Sequence, residues 1–160
     1  MIVAAAGDGR EGRPVSTVFN ALVDEYSAPY WDGLDEGRVM LRRCDECGYV
    51  RPPAVFRTKQ PAPWVCPNCL ATGAEWVEAT GEATVETFVW YMSDRAGSNP
   101  EYAPFKLPLP YNVSLVRFAE GPRMITNVVG VDFGELAVGQ RVGAVFAKVG
   151  GRTILRFSRV

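Results

Sequence analysis

Four cysteines are the residues of this 160-residue chain whose type and spacing point most directly to chemistry. They form two Cys-x-x-Cys pairs, Cys44 with Cys47 and Cys66 with Cys69, separated by eighteen residues. Two residues between ligands let one tight turn present both sulfurs, and a second turn alongside completes a tetrahedral sulfur site. This spacing is typical of zinc, and four protein ligands leave no open position for water. We therefore predict one closed, structural zinc ion per chain.

The residues alone leave two other uses of these cysteines open. Rubredoxin-like iron takes the same four thiolates, although the spacer is short for it. Two disulfides would need an oxidising compartment, which nothing in the sequence indicates. Gly48 follows the first pair, where the turn needs a residue that tolerates positive φ. Leu70 holds that place after the second pair, so we expect the second turn to be less regular.

The chain contains no histidine, which restricts the mechanisms open to it. Ser-His-Asp and Cys-His nucleophile pairs are excluded, as are catalytic zinc sites built on imidazole. No pair of carboxylates stands in a recognisable acid–base motif. Because the metal site would also use every cysteine, we expect little or no activity from the chain alone.

The charge is close to balanced, with 17 basic and 18 acidic residues and a net charge of −1. This balance argues against a protein whose main task is binding nucleic acid. No stretch approaches the ~20 apolar residues of a membrane span. The apolar start, residues 1–6, is too short for a signal-peptide core and has no basic leader. We expect a cytoplasmic protein, and the many Arg, Ala, Val and Gly residues suggest a bacterial genome rich in GC.

Composition divides the chain into four predicted parts. Residues 1–15 are rich in glycine and charge and are predicted to be disordered. Residues 16–37 predict two short amphipathic helices, the second beginning at Pro29 and closed by Gly37. The ribbon, residues 38–78, starts with a strand and contains both cysteine pairs, and residues 79–160 have β patterning throughout.

The last part predicts about five strands, separated by turn signals and one long loop. They are Glu82–Met92, Tyr111–Phe118, Arg123–Val131, Arg141–Val149 and Arg152–Phe157. In the first of them, Ala83, Val85, Thr87 and Val89 are predicted to share one face. Five strands with a long first strand fit a small Greek-key barrel of the OB type, and a sandwich or SH3-like barrel fits nearly as well.

The order of motifs resembles a known family. A helix carrying YWDGLDEGR (residues 30–38) runs through a strand into the first cysteine pair, Pro52-Pro53 follows, and WVEATG (residues 76–81) leads into the β part. This resembles the zinc-ribbon/OB-fold proteins, once catalogued as a domain of unknown function, found beside thiolase-like enzymes. The resemblance covers roughly residues 16–160. It implies a mainly β protein with short N-terminal helices, a rubredoxin-like zinc ribbon and a C-terminal five-stranded OB-fold barrel.

The resemblance also implies a function. Members of the family act as non-catalytic accessory subunits that bind acyl-CoA and scaffold a thiolase-type partner in a hetero-oligomer. The partner can be a thiolase, a steroid side-chain retro-aldolase or an acyltransferase, and it carries the reacting group. A GC-rich genome favours lipid or steroid metabolism with a retro-aldol partner. The four cysteines are the only site residues of the family that can be matched to this sequence position by position.

Candidate ligand contacts come from a basic stretch and a long loop. Residues 38–60 carry six basic side chains and two acidic ones, and arginine forks match phosphate geometry. The loop at residues 93–110 lies where OB barrels place a binding loop between the first two strands. The residues predicted to contact acyl-CoA or the partner are Arg43, Arg57, Lys59, Tyr102 and Phe105. The alternative function is single-strand nucleic-acid binding, against which Glu82 and Glu86 on the first strand argue.

Overall fold

The computed structural model describes residues 26–52, 64–92, 107–149 and 151–160. These residues form one helix and nine strands. In chain order they are α1 (Ala28–Asp35), β1 (Val39–Cys44), β2 (Val50–Arg51), β3 (Ala74–Ala79), β4 (Glu82–Tyr91), β5 (Tyr111–Phe118), β6 (Arg123–Thr126), β7 (Val128–Val129), β8 (Arg141–Val149) and β9 (Arg152–Arg159). The predicted mainly β fold is confirmed. No helix in these four ranges is long and apolar enough to cross a membrane.

Helix α1 is a short element held by its apolar face. Pro29 lies in its first turn, where a missing N–H costs nothing, and Gly37 leaves the helix at a φ of 76°. Tyr30, Trp31 and Leu34 are buried in the main core, and the Tyr30 and Trp31 rings meet edge to face. Burial raises the pKa of Tyr30. The predicted second helix is thus observed, whereas the first, from residue 16, lies largely outside the described residues.

The ribbon contains a three-stranded antiparallel sheet in the order β2-β1-β3. Alternation along β1 turns Val39 and Leu41 toward the main core and Arg42 and Cys44 to the opposite face. In register, Arg42 lies between Arg51 of β2 on one side and β3 on the other. One face of this small sheet therefore packs on the barrel while the other carries the first metal-site cysteine.

The remaining strands form a sheet in the order β6-β5-β4-β8-β9-β7. Strands β6 and β7 lie at opposite edges of this order, yet Asn127 alone separates them in sequence, so the sheet closes on itself. The closure is made by Phe157 N–H, which donates to the Asn127 carbonyl (3.0 Å), and by parallel pairing of β7 with β9. The predicted single strand Arg123–Val131 is therefore two short strands, because one chain segment pairs with β5 and then with β9.

Strand β4 contains a bulge that reverses its faces. Its pairing with β5 shifts between Val85 and Thr87. Ala83 and Val85 are buried as predicted, but Thr87 and Val89 are exposed, and Trp90 on the other parity turns inward. The prediction that one face runs through the whole strand was wrong, because one extra residue moves every later side chain to the other side.

A buried asparagine completes the barrel where backbone pairing stops. Asn112 of β5 is 2% exposed, and its side-chain amide both donates to the Val128 carbonyl (2.7 Å) and accepts from the Val128 N–H (2.9 Å). Ser114 donates a further hydrogen bond to its oxygen (2.8 Å). The Asn112 side chain thus makes the two hydrogen bonds to the Val128 backbone that a paired strand would otherwise make. Its buried polar atoms are therefore satisfied.

Two polar contacts attach the ribbon and α1 to the barrel. The Glu120 carboxylate accepts from the backbone N–H of Thr80 (2.7 Å) and from its hydroxyl (2.9 Å), which holds the turn between β3 and β4. The Asp35 carboxylate at the end of α1 accepts from Lys148 (2.8 Å) and from Thr153 of the β8–β9 hairpin. These hydrogen bonds, the Lys148 one first, lower the pKa of Asp35. Ribbon and barrel are therefore fixed to each other by specific contacts.

Candidate metal centre

The structure brings all four cysteine sulfurs together. Every pair of the four Sγ atoms lies within 4.8 Å, and Cys44 to Cys69 and Cys47 to Cys66 are both 3.6 Å apart. Four sulfurs around a metal at 2.3 Å in tetrahedral geometry would be about 3.8 Å apart. The cluster therefore has the dimensions of a tetrathiolate metal site. The four thiols are free, so the disulfide alternative does not describe this structure.

The first cysteine turn wraps its backbone around the sulfurs. Cys44 N–H donates to the Tyr49 carbonyl (2.9 Å), and Gly48 N–H donates back to the Cys44 carbonyl (3.0 Å). Gly48 has a φ of 70°, as predicted, because the chain must turn sharply after the second ligand. The Tyr49 N–H then points at the Cys47 sulfur. Such N–H groups stabilise the thiolate form that binds metal.

The second turn repeats the first, bond for bond. Cys66 N–H donates to the Ala71 carbonyl (2.8 Å), and Leu70 N–H donates to the Cys66 carbonyl (2.9 Å). Ala71 N–H points at the Cys69 sulfur. Leu70 has a φ of 64°, the left-handed conformation that Gly48 adopts in the first turn. The expectation of a less regular second turn was wrong. Both turns have the same backbone geometry, and Leu70 adopts a strained left-handed conformation while it is 74% exposed.

The four thiols lie in two layers. Cys44 and Cys66 are buried, at 2% and 0% exposed, whereas Cys47 and Cys69 face solvent. A hydrogen bond from the Asn68 side chain, followed by the Tyr49 N–H, lowers the pKa of Cys47 to about 6. The Ala71 N–H lowers the pKa of Cys69, but hydrogen bonds with neighbouring sulfurs, that of Cys47 first, raise it to about 12. The Cys47 thiolate therefore forms readily, and the Cys69 thiol resists deprotonation while that thiolate lies beside it.

A set of four soft thiolates selects a soft metal such as zinc or iron over oxygen-seeking magnesium or calcium. The residues fit such an ion, since two sulfurs are buried in a small cluster with Trp64 and two knuckle turns orient all four. The ion would cross-link the ribbon's two turns. Because all four ligand positions come from the protein, the arrangement supports a structural role.

Beside the metal centre, two arginines stack on tryptophans. The Arg42 guanidinium carbon lies 5.3 Å from the Trp64 ring centroid and 5.0 Å from that of Trp76, and Arg51 lies 4.6 Å from Trp64. Burial, then the charge of Arg51, lower the pKa of Arg42, while Asp45 acts weakly in the other direction. We call Arg42 and Arg51 the arginine pair. Sequence reasoning included them in the basic stretch but did not select them, because strand register brings them together.

Of the five predicted ligand contacts, Arg43 lies within the described residues. Arg43 is on the face of β1 opposite the arginine pair, and its guanidinium donates to the Glu75 carboxylate (2.9 Å from Nε). Its donors are thus already engaged by a neighbouring strand. Arg57, Lys59, Tyr102 and Phe105 lie outside the described residues and stay predictions.

A shallow pocket, open to solvent and lined by both apolar and polar groups, lies at the end of the barrel remote from the turn between β3 and β4. Its volume is about 190 Å³, and its walls come from β4, β5, β7 and residues 107–110 before β5. Trp90 forms one wall and meets the Phe133 ring edge to face at 5.4 Å. Tyr111 and Val131 add apolar surface. The pocket adjoins the position where the predicted binding loop leaves β4.

Parts of this architecture are similar to known proteins. Residues 76–147 match the family described as ChsH2, C-terminal OB-fold domain. This match gives a likeness of the barrel to that domain. The match begins at Trp76 in β3 and ends within β8, and so covers most of the barrel. The resemblance to zinc-ribbon/OB-fold proteins inferred from sequence is thereby confirmed, and of the three β architectures the OB-fold is the one adopted.

Solved structures extend the similarity to the ribbon. A chain of the structure titled "Ltp2-ChsH2(DUF35) aldolase" has a TM-score of 0.66 and 23% identity, over 86% of this chain and 97% of that one. A DUF35-family protein of unknown function from Sulfolobus solfataricus has a TM-score of 0.56 and 20% identity, over 85% and 86% of the two chains. At these identities the likeness establishes a shared fold.

A curated relative adds a longer protein. "Probable enoyl-CoA hydratase alpha subunit" of Thermomonospora curvata is 26% identical over 132 residues, which is 82% of this chain and 36% of the relative. This chain therefore spans about a third of the relative's length.

Proposed function

We propose that this chain is a non-catalytic accessory subunit that binds acyl-CoA and scaffolds a thiolase-type partner. The observation that carries the proposal is the fold: a ribbon and OB barrel that align with 97% of a chain from the Ltp2-ChsH2(DUF35) aldolase. The geometry of this chain agrees with it. All four cysteines converge on one closed cluster, so none is left as a nucleophile.

Acyl-CoA as the ligand has support of two kinds. The name of the Thermomonospora curvata relative refers to an enoyl-CoA hydratase. In this chain, basic side chains on the ribbon and aromatic rings in the open pocket at the barrel end could contact the two ends of an acyl-CoA thioester. Arginine forms paired hydrogen bonds with phosphate oxygens, and the Trp90 and Tyr111 rings in the pocket offer apolar contact to a hydrocarbon.

Zinc is the metal we propose. Four thiolates in tetrahedral arrangement suit zinc, and the cytoplasmic context expected from the sequence keeps cysteines reduced. Elemental analysis of the purified chain is expected to find one zinc per chain. Iron in its place would give a coloured protein, and less than about half an equivalent of either metal in folded protein would contradict the site.

The partnership is tested by reconstitution. The chain is co-expressed with a thiolase-fold protein encoded beside it, and the mixture is passed over a size-exclusion column. We expect co-elution, and turnover of an acyl-CoA that needs both chains. Full activity of the partner alone, with no complex at micromolar concentrations, would refute the proposal. Thioester turnover by this chain alone would show that it carries its own catalytic group.

A hydratase is the second partner to test, because the curated relative is named as a hydratase subunit. The same co-elution experiment with a neighbouring hydratase-fold protein separates the two assemblies. Hydration of an enoyl-CoA by that complex would place the chain in a hydratase, and carbon–carbon bond cleavage by the first complex would place it in an aldolase.

A further inference from the structure

The arginine pair is a double positive charge with no hydrogen-bonded anion among the described residues, and Asp45 acts on Arg42 through its charge alone. Arg42 and Arg51 face each other directly across β1 and β2. Other described arginines of the ribbon have carboxylate partners, with Arg43 bound to Glu75 and Arg38 to Glu36 and Glu78. Within the described ranges, neither Arg42 nor Arg51 has a carboxylate or carbonyl acceptor. Two like charges held side by side cost free energy unless an anion accompanies them.

Stacking holds both guanidinium groups in place. Each lies within 5.3 Å of a tryptophan ring centroid, with Trp64 shared between them. The Nε atoms of both arginines are buried against these rings and make no hydrogen bond. The two side chains are half-buried overall, so their outer Nη groups remain the donors that a ligand can reach. The forks are therefore ordered before any ligand arrives.

We propose that Arg42 and Arg51 together bind a phosphate ester on this face of the ribbon. Two guanidinium forks supply parallel N–H donors that match phosphate oxygens, and their double charge suits a dianion better than a single carboxylate. The tetrathiolate centre beside the pair is itself negatively charged when it holds zinc. Its field offsets part of the repulsion between the arginines, but it provides no hydrogen-bond acceptor to either Nη group among the described contacts.

The arginine pair, rather than Arg43, is therefore expected to bind the ligand. Arg43, selected from the sequence, donates to Glu75 and lies on the other face of β1. If the ligand is acyl-CoA, the arginine pair provides its phosphate site, and to that extent the inference rests on the proposed function. A free nucleotide or inorganic phosphate has the same chemistry, so the test uses probes that separate these sources.

The test measures binding to the full-length, metal-loaded chain by calorimetry with coenzyme A, 3′,5′-ADP, inorganic phosphate and pantetheine. We expect binding of the first two, weaker binding of inorganic phosphate, none of pantetheine, and weakening as salt rises. Arg42→Met combined with Arg51→Met should weaken binding by roughly tenfold or more. Arg43→Met removes the same charge one residue away and should leave binding within about twofold.

Metal content is measured on every variant, because the arginine pair lies next to the ligand cysteines. Arg42→Lys with Arg51→Lys keeps both charges and removes the forks, and it should bind less tightly than wild type with its metal retained. Wild-type binding in the Met variants, an equal loss in Arg43→Met, or loss that follows metal loss alone would each overturn the proposal. Failure of wild type to bind any phosphate probe would do the same. None of these outcomes depends on a partner enzyme, so failure of this site is distinguishable from failure of the proposed assembly.

Discussion

In the barrel, Val116 and Phe157 are completely buried among apolar neighbours, whereas the local cluster inside the ribbon consists of Cys44, Trp64 and Cys66. Two of those three ribbon residues are candidate metal ligands. The barrel therefore has a hydrophobic core, and we expect the tip of the ribbon to depend on the metal proposed for its four cysteines. From this difference we expect the chain to combine two sources of stability, joined through the face of β1 that packs on the barrel.

Removing the metal is expected to have the largest effect and to separate the two regions. A structural zinc ion contributes about 10–16 kcal/mol in small zinc domains, so chelation should unfold the cysteine turns while the barrel stays folded. Hydrogen exchange is the measurement: amides of Gly48 and Leu70 should lose protection, and those of Val116 and Phe157 should keep it. Loss of protection throughout both regions at once would contradict the comparison.

Opening the barrel core should give the converse result. Phe157→Ala removes a ring that contacts Phe118 edge to face at 5.6 Å, and it is expected to cost about 3–5 kcal/mol of unfolding free energy. Denaturant unfolding measures this loss, and elemental analysis should still find a full equivalent of metal in the folded protein. Ile125→Ala, at a 73% exposed position, is the control and should change stability by less than about 0.5 kcal/mol. A loss of metal in folded Phe157→Ala would show that the two regions are not independent.

The two cysteine turns test the metal side of the comparison more finely. Gly48→Ala places a Cβ at a φ of 70° and should cost about 1 kcal/mol, seen as faster metal release to a chelator. Leu70→Gly relieves the same strain, but glycine's greater freedom in the unfolded chain offsets part of the gain, so release should slow only slightly. Equal and opposite large effects, or none at Gly48, would show that the turns do not limit release.

The smallest effect is expected from an ion-pair group on the barrel surface. Hydrogen bonds from Arg123, then Arg117, lower the pKa of Glu86 below its ordinary value. A carboxyl whose pKa is lower in the folded state stabilises above its unfolded pKa, near 4.5, and loses that contribution as pH falls through the folded value. Glu86→Gln should therefore flatten the pH dependence of barrel unfolding slightly below about pH 4.5.

The same acid range acts differently on the ribbon, which releases metal as its thiolates are protonated. Metal release in Glu86→Gln should follow the wild-type pH curve. A shifted release curve would mean that the barrel surface influences the metal centre.

Much of this fold could be predicted from local pattern. The cysteine spacing, the positive φ of Gly48 and the buried face of α1 each depend on a few neighbouring residues. The bulge in β4 could not be predicted, because it depends on how that strand pairs with β5. The division of the segment around Asn127 depends likewise on closure of the barrel.

The candidate site shows the same limit at the level of side chains. From sequence, Arg42 and Arg43 are equivalent neighbours in a basic stretch. Strand alternation places them on opposite faces, and register places Arg51 and Trp76 beside Arg42 and Glu75 beside Arg43. Only pairing between strands far apart in the chain distinguishes Arg43, which is bonded to a carboxylate, from Arg42, which is not.

Local patterns in the sequence established a four-cysteine motif with metal-ligand spacing, a β-rich C-terminal part and the absence of histidine, because ligand spacing and strand alternation are local properties. Tertiary structure decided which turn strains Leu70, which face of β4 turns inward and which two arginines meet. These outcomes arise from long-range contacts, whose geometry is set when the strands pair and the cysteine turns converge.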